Sequence, residues 1–160
     1  ASSMVSPVER KNVLVVEDHL ANQKLMLAML QSIGYHVECA CNGQEAVDIC
    51  VNRRYDIILM DCNMPIMDGW NATQTIRSER GLNFPTPIIA VTANAMKGDR
   101  EKCLSAGMDD YITKPVNKKK LKDLLSKWSE RVQIDERSQS MTPQEDRSGG
   151  SSRANVPLTV

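Results

Sequence analysis

The stretch Tyr55–Pro65, YDIILMDCNMP, decides the fold. Residues 56–60, DIILM, form a short apolar run without apolar–polar alternation, the pattern of a strand buried on both faces. Strands of that kind belong to parallel sheets covered by helices. The run then meets a carboxylate, Asp61, and enters a loop interrupted by Pro65. Any polar residue can end a strand, so Asp61 alone carries no function. Its meaning depends on what the other strands deliver to the same edge.

Further β-rich runs lie at 12–16 (NVLVV), 35–40 (YHVECA), 87–92 (PIIAVT) and 111–113 (YIT). Between them the apolar residues recur at helical spacing. Met26, Met29, Leu30 and Ile33 follow i, i+3, i+4, i+7, and Gly34 supplies a stop. Ala46, Val47, Cys50 and Val51 mark a second helix with Asn42 as its cap. Ala72 and Ile76 indicate a third, Met96 and Leu104 a fourth closed by Gly107, and Leu121, Leu124, Leu125 and Trp128 a fifth.

Strand–helix repeated five times predicts an α/β fold, a five-stranded parallel sheet of order 2-1-3-4-5, doubly wound and flavodoxin-like, with five helices. The more polar runs at 35–40 and 111–113 fit its edges. Residues 1–10 read as a flexible N-terminal segment and 11–131 as the domain. The polar stretch 132–160 has too few apolar side chains to offset its ordering entropy and reads as a disordered tail or linker.

The 160 residues carry 20 basic and 20 acidic side chains, a balance that argues against a nucleic-acid binder. No apolar run approaches the roughly 20 residues of a membrane span, so no membrane insertion is expected, and ASSMVSPVER lacks the apolar core of a signal peptide. The five cysteines are odd in number and contain no CxxC pair, which fits small buried hydrophobes in a reducing compartment. His19 and His36 read as surface residues and Lys118–Lys120 as a solvated helix start.

Glu17 and Asp18 follow the first strand, Asp61 the third, Thr92 ends the fourth, and Lys114-Pro115 follow the fifth. In a parallel sheet these ends share one edge, the edge where such folds keep their ligands. Clustered carboxylates repel one another, and a hard divalent cation relieves that repulsion. Mg²⁺ prefers oxygen ligands and keeps several waters. Asp18 and Asp61 can bind it directly, Glu17 directly or through water, and the Asn63 carbonyl can reach back to it. Lys114 and the Thr92 hydroxyl can hold phosphoryl oxygens, leaving Asp61 as an in-line nucleophile that forms an aspartyl phosphate. A cis Lys114–Pro115 bond is a candidate device for aiming the lysine inward.

Taken in order, LVVEDH, DIILMDCNMPIMDG, IIAVTANAM and DDYITKP resemble the receiver domain of two-component response regulators, over roughly residues 11–130. The resemblance implies that Asp61 accepts phosphate from a histidine kinase phosphohistidine. It assigns Mg²⁺ to Glu17, Asp18, Asp61 and Asn63, and phosphoryl binding to Thr92 and Lys114. Tyr111 matches the aromatic switch position that responds to Thr92. The strings NQKL, NGQEAVD and TANAMKGDREKCLSAGMDDYITKP are most similar to receivers of hybrid histidine kinases. Such receivers pass phosphate to a histidine phosphotransfer protein, through the first helix and the loop after the fifth strand. The implied location is cytoplasmic, including as the cytoplasmic end of a membrane-anchored kinase. The implied catalysis is limited to self-phosphorylation and slow autophosphatase activity.

A receiver-fold scaffold that never uses phosphate is the alternative, and the complete set Asp18, Asp61, Thr92 and Lys114 weighs against it. A flavin protein of similar topology would place a Gly/Ser/Thr-rich loop where Glu17 and Asp18 stand. The GxxxxGK[ST] loop of nucleotide hydrolases is absent. An aspartyl phosphatase would want a second acid at the position of Asn63.

Overall fold

The computed structural model describes residues 10–78, 81–93 and 97–140. The chain divides into two compact units, residues 1–129 and 130–160, and the fold is that of the first. Its elements alternate as β1 (Asn12–Val16), α1 (Leu20–Ile33), β2 (His36–Ala40), α2 (Gly43–Asn52), β3 (Ile57–Asp61), α3 (Gly69–Ser78), β4 (Ile88–Thr92), α4 (Lys97–Ala106), β5 (Asp110–Thr113) and α5 (Lys118–Ser140). The strands form one sheet in the order β2-β1-β3-β4-β5, with every pairing parallel. This is the doubly wound, flavodoxin-like arrangement that the alternating runs predict.

The period-two geometry of a strand sends neighbouring side chains to opposite faces, and both faces here are apolar. Leu14, Val16, Ile58, Met60, Ile88 and Ala90 meet Ala46 and Cys50 of α2, Ala72 and Ile76 of α3 and Cys103 of α4. Val13, Val15, Ile57, Leu59, Ile89 and Val91 meet Met26 and Leu30 of α1 and Leu121 and Leu125 of α5. Burying each such aliphatic side chain contributes about 1.5–3 kcal/mol before entropy is counted. The two cores hold the three central strands in fixed register, so their carboxyl ends form a rigid rim.

Helix boundaries follow local chemistry. Gly34 ends α1 at φ 115° and Gly107 follows α4 at φ 104°, a left-handed conformation that costs a glycine little. Asn42 caps α2 by accepting a hydrogen bond from the Glu45 N–H at 2.8 Å. Asp68 does the same for α3 through Asn71.

Several details differ from the sequence reading. Asp61 is the last residue of β3 rather than the first residue beyond it, and β5 starts at Asp110. Val51 and Leu104 are 58% and 50% exposed. The stripe that α2 buries is Gly43, Ala46, Val47 and Cys50, and α4 packs through Cys103 and Ala106, so both residues fall just outside the contact. Cys41 is exposed, whereas Cys50, Cys62 and Cys103 are buried; all five cysteines are free thiols. The backbone of α5 runs to Ser140, past the end near residue 131 that composition suggests. Met96, the expected flexible segment up to Glu9, and residues 141–160 lie outside the described residues.

Candidate functional site

The rim at the carboxyl ends of β1, β3, β4 and β5 collects the charged residues. Register places Asp61 beside Val91 and Thr92 beside Thr113, so Asp61, Thr92 and Lys114 issue from three adjacent strands. The Lys114 N–H donates to the Thr92 carbonyl at 2.8 Å, which ties the start of the β5–α5 loop to the end of β4. The Lys114–Pro115 peptide bond, whose isomer the sequence leaves open, is cis.

Glu17 and Asp61 are each only 3% exposed. The Lys114 ammonium lies between them, donating to Asp61 Oδ2 at 3.1 Å and to Glu17 Oε2 at 3.2 Å. The other Asp61 oxygen, Oδ1, accepts from the Asn63 N–H at 3.2 Å. Burial first, and then repulsion from Glu17, push the Asp61 carboxyl above its ordinary range, against the pull of Lys114 and Asn63. Burial works against charge on Lys114, but Asp61 and Glu17 outweigh it and hold the ammonium above the usual lysine value. The pair therefore keeps a cation among acids that are short of solvent.

Asp18 stands at the open side of the rim. Burial opposes its ionisation, yet contact with His19 outweighs this and keeps the carboxyl below its ordinary value. His19 Nδ1 lies 3.2 Å from Asp18 Oδ1, with the imidazole 71% exposed. The Oδ1 atom is buried, with the His19 ring nitrogen as its polar neighbour. Ligand atoms of Glu17, Asp18 and His19 lie within 4.8 Å of one another, and Asp61 joins this group through Lys114. A buried carboxylate oxygen beside a second acid and an imidazole is a donor set suited to a divalent cation. Of the expected metal residues, Glu17 lies beside Asp18 and shares the Lys114 ammonium with Asp61. Asn63 contributes its N–H to Asp61, and its side chain is exposed.

The loop after Asp61 is shaped by close backbone packing. The Gly69 N–H donates to the Cys62 carbonyl at 3.1 Å, and a Cβ on Gly69 would collide with the Asp61 carbonyl oxygen. Only glycine lets α3 start this near the acid. Ile66, at the tip of the same loop, is 81% exposed and takes φ 70°. Tyr111 is half-buried against the α2–α4 core, in register with Ala90, with the Arg100 guanidinium 5.6 Å from its ring centroid. Lys102 of α4 sits 3.7 Å over the Trp70 ring.

Sequence reasoning gave no role to Gln23. It is buried on α1 and its amide donates to the Glu17 carbonyl at 2.6 Å. The signal was present: Gln23 lies on the same helical stripe as Met26 and Leu30, and a polar residue on a buried stripe needs a partner.

Residues 13–126 match the family model described as the response regulator receiver domain. The chain belongs to that family, and it is a receiver domain of two-component and phosphorelay systems. It is similar to the crystal structure of the receiver domain of sensor histidine kinase PA1611 from Pseudomonas aeruginosa PAO1, which has a magnesium ion coordinated in its active-site cleft. Identity there is 46% with a TM-score of 0.70, over 75% of this chain and 98% of that one. The resemblance to receivers carried by histidine kinases therefore holds. Two-component system protein A of Emericella nidulans is 49% identical over 131 residues, covering 80% of this chain and 19% of that protein; the chain spans about a fifth of that relative. The Saccharomyces cerevisiae co-crystal of the histidine phosphotransfer signaling protein Ypd1 with the receiver domain of its downstream response regulator Ssk1 matches at TM-score 0.69 and 35% identity, over 75% of this chain and 89% of that one. Among the described residues no helix is long and apolar enough to cross a membrane.

Proposed function

We propose that this receiver accepts a phosphoryl group on Asp61 from a kinase phosphohistidine and exchanges it with a histidine phosphotransfer protein. The observation that carries the proposal is the Lys114 ammonium placed within 3.2 Å of both Glu17 and Asp61, with Glu17 itself next to a buried Asp18 oxygen.

Asp61 is the nucleophile. One of its oxygens forms a bond to phosphorus while the phosphorus–nitrogen bond of the donor histidine breaks, and the imidazole keeps the electron pair. Burial and then repulsion from Glu17 raise the Asp61 carboxyl, and that repulsion is the crowding of negative charge that a cation would relieve. Mg²⁺, held by Asp18 and Asp61, with Glu17 directly or through water and the Asn63 carbonyl, would supply charge neutralisation for the phosphoryl oxygens. Lys114 and the Thr92 hydroxyl serve the remaining phosphoryl oxygens. Transfer of the Lys114 ammonium from the Asp61 carboxylate to the new phosphate pulls on the Thr92–Lys114 backbone link. Tyr111 is the side chain whose placement registers that movement.

The partner surface is the mouth beside the site. A cavity of about 340 Å³ opens between Leu25 and Met26 of α1 and Pro115 and Val116, with Glu17 and Lys114 at its polar end. Leu20 and Leu25 on the same helix are 63% and 55% exposed. An apolar patch bordering a phosphoacceptor suits the helical surface of a phosphotransfer protein, whose histidine must reach Asp61. Because the chain spans a small part of its relatives, membership in a larger hybrid histidine kinase of cytoplasmic location belongs to the same proposal.

The test is transfer from a panel of histidine-phosphorylated phosphotransfer proteins and kinases, run in both directions. Label should pass to the wild-type chain and return, and Asp61→Asn should receive none. A chain that accepts no label from any donor, with Mg²⁺ present, would favour the phosphate-independent scaffold.

A further inference from the structure

The β1–α1 connection has an unusual construction. Val16 ends the strand and Leu20 begins the helix, so Glu17, Asp18 and His19 form the whole connection. His19 occupies the N-cap position of α1 without making a side-chain cap, and no acid lies in the first turn. The acids that matter for the rim are therefore carried on a loop that the His19 side chain does not cap.

The Glu17 side chain accepts from the His19 N–H at 3.1 Å and the Asn22 amide at 3.4 Å, and two further hydrogen bonds hold the Glu17 backbone. The Glu17 N–H donates to the Ala40 carbonyl at 3.0 Å, which continues the β1–β2 pairing one residue beyond the strand. The Glu17 carbonyl, which belongs to the Glu17–Asp18 peptide unit, accepts the Gln23 amide at 2.6 Å. Gln23 is itself fixed, because it is 9% exposed, its N–H donates to the His19 carbonyl at 3.0 Å, and its amide also lies 3.6 Å from Cys41 Sγ. Both peptide planes flanking Glu17 are thus anchored, one by β2 and one by Gln23. The second anchor sets the direction in which Asp18 leaves the backbone.

We infer that Gln23 is a positioning residue for the divalent-cation site: its amide fixes the Glu17–Asp18 peptide so that both carboxylates face the rim. This rests on the metal-assisted reading above. Loss of the amide would free the Glu17 carbonyl, buried under α1, to seek another donor by rotating its peptide, and rotation carries Asp18 with it. Groups that orient ligands from one layer out typically account for ten- to hundredfold in metal affinity.

The test is a Mg²⁺ titration of the full chain followed by tryptophan fluorescence, since Trp70 follows the loop that begins at Asp61. Gln23→Met keeps the length and bulk of the side chain and removes the donor. It should raise the Mg²⁺ dissociation constant about tenfold, while Asn83→Ala, also buried but at the opposite end of the sheet, should leave it within about twofold. A Gln23→Met affinity equal to wild type overturns the inference, even if the variant is less stable, because a merely structural role moves stability alone. If Gln23→Met does not fold, the wild-type protein decides. The Gln23 side-chain amide resonances should shift with the same Mg²⁺ midpoint as the fluorescence, and resonances that stay still overturn the inference. A wild-type chain with no Mg²⁺ response at all overturns it together with the metal-assisted reading; a responding wild type confines failure to Gln23.

Discussion

Lys114→Met is the most informative perturbation of the site. The side chain keeps its length and loses its charge, leaving Glu17 and Asp61, each 3% exposed, to face one another without the ammonium that lies 3.2 and 3.1 Å from them. Removing one partner of a fully buried ion pair destabilises by about 3–5 kcal/mol. Lys114 is not fully buried, since its side chain is 28% exposed and borders an open cavity, so roughly half of that, about 2 kcal/mol, is the expected loss. The sign with pH follows from Asp61. Its folded carboxyl already binds a proton more tightly than an unfolded aspartate does, and loss of Lys114 strengthens that preference. The folded state of the variant then takes up protons ahead of the unfolded state as pH falls, so the defect is largest near about pH 8 and shrinks toward about pH 4. Urea denaturation in chelator at the two pH values measures it, and adding Mg²⁺ at the higher pH should recover part of the loss. A variant within about 0.5 kcal/mol of wild type at the higher pH, or a defect that does not change with pH, would refute the charge-crowding account.

Further outcomes follow from other parts of the chain. Asn83 is 2% exposed and holds four bonds, to the Tyr55 N–H, the Cys50 and Arg53 carbonyls and the Thr86 hydroxyl; at about 1 kcal/mol each, Asn83→Ala should lose about 3–4 kcal/mol in urea denaturation, and a loss under about 1 kcal/mol would contradict that bonding. Tyr55→Phe removes the 2.6 Å hydrogen bond to Glu38. That bond first, with Arg53, holds the Glu38 carboxyl below its ordinary 4.5 against burial. Its stabilisation of about 1 kcal/mol is present above that value and lost as pH falls through the folded one, so wild type and Tyr55→Phe should differ in stability at neutral pH and converge in strong acid.

The sheet was legible because its central strands carry their own signature. The apolar sequences of β1, β3 and β4 need no partner information to be read as doubly buried, and their ends place Glu17, Asp61 and Thr92 on one rim. The parts that escaped depend on contacts between distant segments. Gln23 and Asn83 look like ordinary polar residues until Glu17 and Cys50 are brought against them by the fold. Val51 and Leu104 lie in the helices that their spacing marks, yet both are exposed, because the width of the buried stripe is set by how closely the helix lies on the sheet. The placement of Lys114 between two acids was not legible either: the sequence placed it at the rim, and only the folded rim shows that it spans Glu17 and Asp61.

The central claim is that Asp61 becomes an acyl phosphate with the help of a divalent cation. It is tested most directly by treating the chain with a small phosphoramidate, reducing the product with borohydride and mapping the modified residue by peptide mass spectrometry, with Mg²⁺ and with chelator. Conversion of Asp61 to homoserine in Mg²⁺, and no conversion in chelator, is the predicted result. Modification at another residue, or equal modification of Asp61 without the metal, would contradict the account.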